Sequence, residues 1–354
     1  MGKARIGDVA ALAGVSVATV SNVLNRPEKV TPPLVDRVRA AIDELQYVPH
    51  MPARQLRSGR SATIGISVLN AANPFFGEIV SAAELAAVGR DLSVMVGSSH
   101  ESPTSQDKYL DVFEQFRFAG IIVTPVSQDL ERLWRLHARG IPVVLVDQED
   151  PTRVLPSVSG DHLAGGRLGG EHLVTAGCTR VTFVAGPLAV PQIAERLQGC
   201  EEAIGHHAGV ELTVHSGPGM DIDLGRAAGE EILRLPAGRR PDGVFAANDM
   251  QAIGIMQAFL GAGLRVPEDV RMLGYDDIAF AAVAAVPLSS VRQPSREIGA
   301  AAANLLLEPS TAGQDGLAAR VRFTPELVVR DSTAGPAVGV PPSENPSVGV
   351  GADG

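Results

Sequence analysis

Two aspartates stand at the ends of apolar runs, where α/β proteins commonly place side chains that bind small molecules. Asp147 ends the run VVLVD, and Asp276 follows the run MLGY. A carboxylate accepts hydrogen bonds from neighbouring hydroxyl groups, so both residues suit a polyol ligand. Asp276 is followed by Asp277, and one of these two could instead cap the next turn. The pattern predicts hydroxyl recognition and leaves the choice within this pair open.

Aromatic and amide side chains occupy comparable places along the chain. Phe75 and Phe76 follow the first apolar run, and a ring there can stack on the apolar face of a sugar or on a planar base. Either ring could instead belong to the core. Asn248 and Asp249 end the run GVFAAN and follow it directly. We interpret Asn248 as the ligand-binding residue and Asp249 as a helix N-cap.

Catalytic and cofactor motifs are absent from the sequence. It contains no Walker sequence, no G-x-S-x-G elbow and no HExxH helix. The glycine pairs at 165–166 and 169–170 do not follow the first strand of a βαβ unit, so they do not predict a dinucleotide site. His206, His207 and His215 have no nearby cysteine, and we interpret them as surface residues. The sequence therefore predicts no catalytic site, no metal site and no cofactor.

A second group of small and polar side chains lies near the N-terminus. Between Ile6 and Arg26, two short stretches with helical apolar spacing flank Gly14. Gly14 can take the left-handed conformation that ends a helix, and Ser16 can cap a second helix over residues 17–25. This spacing predicts a helix-turn-helix. The alternative is an ordinary helical hairpin in a globular domain.

The apolar positions decide which face of the second helix points outward. We expect these residues to pack inside the module: Val9, Ala10, Leu12, Ala13, Val15, Val20 and Leu24. A major groove admits such a helix, and the first residues of the helix reach base edges. We expect DNA contacts from Ser16, Val17, Ala18, Thr19, Ser21, Asn22 and Asn25.

A third helix and a linker follow this motif. Thr31-Pro32 combines a capping hydroxyl with proline at a first helical position, and apolar residues at helical spacing then close the small core. Residues 48–60, VPHMPARQLRSGR, have the prolines and the Ser-Gly pair of a linker. Residues 52–56 could form one or two helical turns, too few to persist alone in water.

From Thr63 onward, short β-rich runs alternate with helical segments. We predict strands at residues 63–69, 92–98, 120–125, 143–147, 181–186, 211–216, 243–248 and 270–275. Apolar strands separated by helices indicate parallel sheets with right-handed crossovers, and a break near Val158–Asp161 divides them into two similar halves. The segments LSSVRQ and VRFTPELVVR complete the halves, with a helix at Ser295–Leu307 between them. Such sheets bind ligands outside the carboxyl ends of their strands.

Composition and charge limit the protein class. The 354 residues are 45% hydrophobic, without an apolar run of membrane-spanning length or the apolar segment of a signal peptide. Cys178 and Cys200 are the two cysteines, which fits buried thiols in a reducing cytoplasm. Residues 1–60 carry a net charge of +4 and the remainder −14, so a basic head could approach phosphates while the acidic body stays away. The residues after Arg330 have the composition of a disordered tail.

The N-terminal segment resembles the lactose-repressor (LacI/GalR-type) family of transcriptional regulators. The resemblance rests on DVAALAGVSVATVSNVLN, continues through TPPLVDRVRAAIDELQYVP and ARQLRSGRSATIGI, and extends more loosely to about Arg330. Asn22 stands where the family often has an arginine that contacts guanine. His50 stands where an asparagine is common before the hinge. These departures concern the operator sequence and not DNA binding itself.

The resemblance implies roles that pattern alone leaves open. Paired hinge helices of the family insert a leucine into the minor groove; this leucine corresponds to Leu56, with Arg54 and Arg57 on phosphates. The resemblance also implies that Asp276 and Arg196 bind the effector. It places Met220 where the family often has an aromatic ring. The expected effector-binding residues are Phe75, Phe76, Asp147, Arg196, Met220, Asn248, Asp276 and Gln293, the last a weaker candidate from the lobe-crossing region.

We therefore expect an α/β protein with an N-terminal all-α helix-turn-helix module and two Rossmann-like lobes of the periplasmic-binding-protein type. The expected divisions are residues 1–48 for DNA binding, 49–61 for the hinge, 62–331 for effector binding and dimerisation, and 332–354 for the tail.

The expected function is a cytoplasmic, homodimeric repressor of carbohydrate genes, without a membrane partner. It would bind palindromic operators in double-stranded DNA under the control of a sugar or a sugar derivative. One alternative is a sugar-binding receptor, against which the basic head and the missing signal peptide argue. The other is a sugar-active enzyme on the same lobes, for which the sequence identifies no general acid–base pair.

Overall fold

The computed structural model describes residues 4–47, 61–308 and 317–334, except for the side chain of Asn25. The chain divides into two compact units, residues 1–60 and residues 61–354. Arg54, Leu56 and Arg57 lie outside the described residues, so their hinge roles stay predictions.

The described part of the first unit, residues 4–47, contains three helices, α1 (Ile6–Ala13), α2 (Val17–Asn25) and α3 (Pro32–Glu44), with a short 3₁₀ turn at Pro27–Lys29. Its core contains Val9, Ala10, Ala13, Val20, Val23, Val35, Val38, Ala41 and Tyr47. The inward assignment of Leu12 is wrong, because this side chain is 47% exposed. At 3.6 residues per turn, Leu12 points about 200° away from Ala10.

The turn between α1 and α2 confirms the predicted helix ends. Gly14 has φ 63° and ψ 40°, a left-handed conformation that favours glycine. The Ser16 Oγ accepts a hydrogen bond from the backbone N–H of Thr19 at 3.1 Å. The third helix begins at Pro32 as predicted, but the Thr31 hydroxyl makes no capping bond. Within the described ranges no single helix has the length and apolar character to cross a membrane; Ile6–Ala13 and Val17–Leu24 pass that test only jointly, as a pair bent by 102°.

The second unit begins with a lobe whose sheet has six parallel strands in the order β11-β5-β4-β3-β1-β2. These are β1 (Thr63–Val68), β2 (Ser93–Ser98), β3 (Gly120–Val123), β4 (Val143–Val146), β5 (Ser157–Gly160) and β11 (Arg320–Phe323). Its helices are α4 (Pro74–Val88), α5 (Pro103–Gln115), α6 (Glu131–Ala138) and α12 (Ser295–Leu307). This is the N-terminal lobe.

The C-terminal lobe repeats the design with a sheet in the order β12-β10-β9-β8-β6-β7, in which only β12 is antiparallel to its neighbour. Its strands are β6 (Arg180–Ala185), β7 (Glu211–Ser216), β8 (Gly243–Ala246), β9 (Arg271–Asp276), β10 (Ser289–Arg292) and β12 (Glu326–Val328). Its helices are α7 (His162–Thr175), α8 (Pro191–Gly205), α9 (Ile222–Arg234), α10 (Asp249–Gly261), α11 (Ala279–Ala282) and α13 (Asp331–Ala334), with a 3₁₀ turn at Ala237–Arg239.

The chain crosses between the lobes three times, after β5, after β10 and after β11. The predicted helix at Ser295–Leu307 is confirmed. Strand β5 was not among the predicted strands, because its sequence, SVSG, is polar although all four residues are buried. Residues 332–334 belong to the folded domain and not to the predicted tail. The Ser332 Oγ, for example, donates to the backbone oxygen of Met272 at 2.6 Å.

The glycine pairs of α7 are packing positions. A Cβ at Gly166 would overlap the backbone oxygen of Arg196 on α8, and a Cβ at Gly165 would overlap the Tyr275 hydroxyl. On the facing helix, a Cβ at Gly199 would overlap the backbone oxygen of Leu163. These helices can approach so closely only because the contact positions carry no side chain. This contact fixes the position of α8, the helix that carries Arg196.

Candidate functional site

A cavity of about 500 Å³, counting its open mouth, lies between the lobes at the carboxyl ends of their strands. Its walls come from both lobes. The N-terminal lobe contributes Leu69, Asn70, Ala72, Asn73, Phe75, Phe76, Glu101 and Asp147. The C-terminal lobe contributes Gln192, Ile193, Arg196, Met220, Asp221, Asn248, Met250 and Asp276. All the predicted effector residues except Gln293 therefore line one cavity.

Asp276 is the centre of the polar network in this cavity. It ends β9 with φ 97°, which is uncommon for a residue other than glycine. Its carboxylate accepts hydrogen bonds from Asn73 Nδ2 at 3.3 Å and from Gln293 Nε2 at 3.1 Å, and it lies 3.5 Å from Arg196 Nη2. Burial raises the pKa of Asp276, while Arg196 and the two amides oppose that change. Because Asn73 belongs to the other lobe, this carboxylate joins the two sides of the cleft.

Arg196 is held from several directions at once. Its Nη1 donates to the backbone oxygen of Ala247 at 2.5 Å, and its Cζ stands 3.7 Å above the ring centre of Tyr275. Its Nε donates to Nδ1 of His162 at 3.4 Å, which requires a neutral imidazole. Burial and the Arg196 charge lower the pKa of His162 well below its usual value, consistent with that neutral form. The guanidinium is thus pre-positioned before any ligand binds.

Asp147 is a further buried polar group on the cavity wall. It follows β4 with φ 60°, and it is buried. Among the described residues its Oδ1 has no hydrogen-bond partner; the His162 Nε2 is 3.7 Å away. Burial raises the pKa of Asp147 to about 7, although Arg196 acts in the opposite direction. A ligand hydroxyl would supply the missing donor.

The roles predicted for Asn248 and Asp249 are partly wrong. Asn248 is itself the N-cap of α10, accepting from the backbone N–H of Gln251 at 2.8 Å, and its Nδ2 donates to the Met220 oxygen at 3.1 Å. Asp249 instead accepts from the backbone N–H of Ile278 at 2.8 Å and is fully buried. The short loop after β8 explains the shift, since the helix begins directly at Asp249. Asn248 still lines the cavity.

Asp276 and Asp277 have different partners and different positions relative to the cavity. Asp277 forms ion pairs of 2.7 Å with Arg292 and Arg330, and it does not line the cavity. Gln293 is buried behind Asp276, to which it donates, instead of lining the cavity wall.

The apolar candidates form one side of the cavity. Phe75 and Phe76 are 3% and 6% exposed, with ring centres 5.2 Å apart in an edge-to-face arrangement. Both rings belong to the main hydrophobic core and also line the cavity, so the core interpretation is confirmed and stacking on a ligand stays a prediction. Met220 lies against Gly186, where a Cβ would stand 2.5 Å from the Met220 Cγ.

Sequence reasoning missed several cavity residues. Gln192 is 2% exposed, and among the described residues its Oε1 has no hydrogen-bond partner. Its spacing of four residues from Arg196 on α8 was an available signal, because such residues share a helix face. Glu101 and Asp221 also line the cavity, without a motif that would identify them. In the described part of the chain, no group of three His, Cys, Asp or Glu residues is placed to hold a metal ion.

The candidate DNA-binding surface is the outer side of α2. Val17 is 47% exposed, and Ala18 and Asn22 are also exposed. Ser16 is exposed as well, with its hydroxyl 2.9 Å from that of the half-buried Thr19. Ser21 is half-buried, and the Asn25 side chain is outside the described atoms. The exposed positions are those that a major-groove helix would direct toward bases.

Comparisons with known proteins agree with this arrangement. Residues 5–50 match the family described as bacterial regulatory proteins, lacI family, and residues 171–333 match a periplasmic binding protein-like domain. The ribose operon repressor of Escherichia coli strain K12 is 32% identical over 337 residues, covering 93% of this chain and 99% of that protein.

Two solved structures are similar over almost the whole chain. A complex of the transcriptional regulator CelR with cellobiose is 31% identical with a TM-score of 0.67, covering 93% of this chain and 99% of that one. The Lac repressor dimer bound to operator and the anti-inducer ONPF is 28% identical with a TM-score of 0.75, covering 94% and 99%. The chain is a DNA-binding transcriptional regulator with an effector-binding domain, and it belongs to the lacI family of bacterial regulatory proteins.

Proposed function

We propose that this chain is a homodimeric, cytoplasmic repressor of carbohydrate genes, with a small sugar in the interlobe cavity controlling its affinity for a palindromic operator. The observation that carries the proposal is the buried network of Asn73, Asp276 and Arg196, which joins the two lobes through one carboxylate. A ligand that inserts hydroxyl groups into this network would change how the lobes meet. Such a differential interaction is what shifts a conformational equilibrium.

The proposed ligand contacts divide by chemistry. Asp147, Asp276 and Gln192 would accept hydrogen bonds from hydroxyl groups, and Arg196 would donate its remaining N–H groups. Phe75, Phe76 and Met220 would cover an apolar face, and Asn248 would complete the polar wall.

The class of ligand is supported by the relatives and by the wall itself. The Escherichia coli relative represses a ribose operon, and the CelR structure contains cellobiose. The acceptors on the cavity wall suit a sugar better than a purely apolar molecule. A planar base is the other ligand that the aromatic pair could accommodate.

DNA recognition is proposed for α2 and for the hinge. Val17, Ala18 and Asn22 would contact base edges, while Ser16, Thr19, Ser21 and Asn25 would contact DNA around them. In the hinge, Leu56 would part a base step in the minor groove and Arg54 and Arg57 would hold phosphates.

A titration with a matched control tests the effector proposal. Full-length protein would be mixed with a labelled fragment from upstream of its own gene, and sugars and free bases would be added while anisotropy is measured. At least one sugar should change operator affinity severalfold, a coupling of about 1–3 kcal/mol. Asp276→Asn should lower the affinity for that sugar by at least about tenfold.

Asp223→Asn is the control. This substitution also removes one negative charge, but from an exposed position of α9 outside the cavity. It should respond like the parent. If free bases change operator affinity and no sugar does, the carbohydrate assignment is wrong. The conclusion that the chain is a transcriptional regulator would remain.

One observation favours a second function, sugar hydrolysis. Glu101 and Asp147 line the cavity, and burial raises the pKa of each to about 7, the range of a general acid. We nevertheless propose a binding protein, because the relatives are transcriptional repressors and regulators. Product formation from aryl glycosides that disappears in Asp147→Asn would overturn this choice.

A further inference from the structure

Two acidic side chains from opposite lobes line the cavity close enough for the charge of one to act on the other. Glu101 follows β2 in the N-terminal lobe, and Asp221 is the N-cap of α9 in the C-terminal lobe. Both residues line the cavity. The Glu101 Oε2 lies 3.9 Å from the position that a Cβ would take at Gly219, two residues before Asp221. The Glu101 carboxylate therefore reaches across the cleft toward the Asp221 loop.

Within the described ranges of the chain, no cation forms an ion pair with either carboxylate. No described residue forms an ion pair or a hydrogen bond with the Glu101 carboxylate, and Asp221 accepts from the backbone N–H of Leu224 at 2.8 Å. Among the described residues Arg196 is the one cation on the wall, and Asp276 compensates its charge at 3.5 Å. With Asp147, the wall carries more acidic groups than basic ones.

The unpartnered atoms on the same wall are also acceptors. The Gln192 Oε1 and the Asp147 Oδ1 are buried without a hydrogen-bond partner in the described part of the chain. A buried acceptor without a donor is destabilising, so both atoms favour a ligand that donates hydrogen bonds. Because Gln192 carries no charge, its unpartnered oxygen indicates a ligand independently of the acidic groups.

We infer that the cavity binds a donor-rich, cationic sugar, an amino sugar whose ammonium group lies between Glu101 and Asp221, and that it excludes sugar phosphates and sugar acids. This inference rests on the proposed function, since it names the chemical class of the same effector. A primary ammonium group offers three donors and no acceptor. A phosphate or carboxylate would instead place an anion beside carboxylates, with no uncompensated cation nearby.

The protonation behaviour of Glu101 supports this assignment. Burial, together with the Asp221 charge, raises the pKa of Glu101 to about 7. Glu101 therefore resists ionisation beside the Asp221 carboxylate. An ammonium group between them would supply the missing positive charge.

Calorimetry on the full chain at one pH tests the inference with matched sugars. The probes are glucose, glucosamine and glucose 6-phosphate, then galactose and galactosamine, then ribose and ribose 5-phosphate. At least one amino sugar should bind about tenfold or more tightly than its neutral parent, the effect of one partly screened charge pair. The phosphorylated sugars should show no saturable binding.

Two variants test whether Glu101 causes the preference for amino sugars over neutral sugars. Glu101→Gln keeps the shape of the side chain and should bring amino and neutral sugars to within about threefold of each other. Asp223→Asn removes a charge two residues after Asp221 on α9, where the side chain is 87% exposed and outside the cavity, and should keep the preference of the parent.

The outcomes separate the inference from the proposed function. If neutral sugars bind and their amino counterparts bind no more tightly, or if a sugar phosphate binds as well as its parent, the inference is wrong and the sugar-binding proposal stands. A preference for amino sugars that persists in Glu101→Gln also overturns it. If no sugar in the panel binds, the proposed function fails and the inference fails with it.

Discussion

At the scale of single residues, Asp147 shows how the site lowers the stability of the empty protein. Its backbone has φ 60°, its Oδ1 lacks a hydrogen-bond partner among the described residues, and its side chain is buried. Each of these features costs free energy unless a ligand compensates for it. Such local destabilisation is typical of residues that are retained for binding instead of for folding.

Asp147→Asn should therefore make the empty protein more stable at alkaline pH. The folded-state pKa of about 7 lies above the unfolded value of 3.8, so the folded protein binds more protons between these values. The free energy of unfolding consequently falls as the pH rises from about 4 to 7. Asparagine cannot ionise and should remove about 2–4 kcal/mol of that fall, the size of a shift of several pKa units.

The measurement is urea unfolding of both proteins at pH 5 and pH 8, with Asp223→Asn as an exposed control. The gain of the variant over the parent should be larger at pH 8 than at pH 5, where only the first part of the fall has occurred. An equal difference at both pH values would show that Asp147 ionisation does not contribute to stability.

At the scale of elements, glycines determine how the helices that carry the site approach each other. The same arrangement occurs twice: α7 meets α8 at Gly166, and α9 meets α10 at Gly225 and Gly254, where added Cβ atoms would overlap backbone oxygens. Since the first contact involves the backbone of Arg196 itself, the helix pair positions the guanidinium.

Gly166→Ala should weaken both folding and effector binding. The new methyl group would push against the Arg196 backbone, and overpacking of this kind costs about 1–3 kcal/mol. Gly205→Ala on α8 is the control, because a Cβ there meets no atom within 4 Å and alanine favours helix. Thermal unfolding and effector titration of both variants are the measurements. A Gly166→Ala protein with the stability of the parent would mean that the helices separate at little cost.

The recognition helix leads to a separate prediction about operator choice. Asn22 is exposed on α2, and its substitution should leave the small core unchanged. Asn22→Arg should alter the preferred operator, since arginine pairs with guanine in the major groove, while non-specific affinity changes little. Selection from a randomised DNA pool would reveal the consensus of each protein. The same consensus for both would remove Asn22 from the residues that contact bases.

Sequence patterns predicted the elements better than the contacts between their side chains. Apolar runs predicted the six strands β1, β3, β4, β6, β8 and β9 because those strands are almost wholly buried, but β5 escaped because Ser157 and Ser159 are buried polar residues. Asp147 and Asp276 could be predicted because strand ends are visible in the sequence. Glu101 could not, because no local pattern marks it, whereas the four-residue spacing of Gln192 from Arg196 was a signal that the sequence analysis did not use.

At the scale of the whole molecule, charge and apolar surface are distributed unevenly. The net charge is +4 over residues 1–60 and −14 over the remainder, so phosphates attract the head and repel the body. The N-terminal lobe exposes large apolar side chains on two adjoining elements, α4 and β2. Exposed apolar surface of this kind is typical of protein–protein interfaces.

The homodimer that we propose should therefore be sensitive to Leu85. This side chain is 74% exposed on α4, Val88 on the same helix is 61% exposed, and Met95 and Val96 are exposed on the edge strand β2. Leu85→Glu would put a charge on this surface, and burying that charge against a second copy is costly without a partner. Sedimentation should then show monomers at concentrations where the parent is dimeric. Affinity for a palindromic operator should fall by at least about tenfold, because the two half-sites would no longer be bound by one linked molecule.

Leu168→Glu on α7 of the other lobe is the control, as Leu168 is 38% exposed away from α4 and β2. If Leu85→Glu remains dimeric while it folds normally, the second copy does not pack on α4.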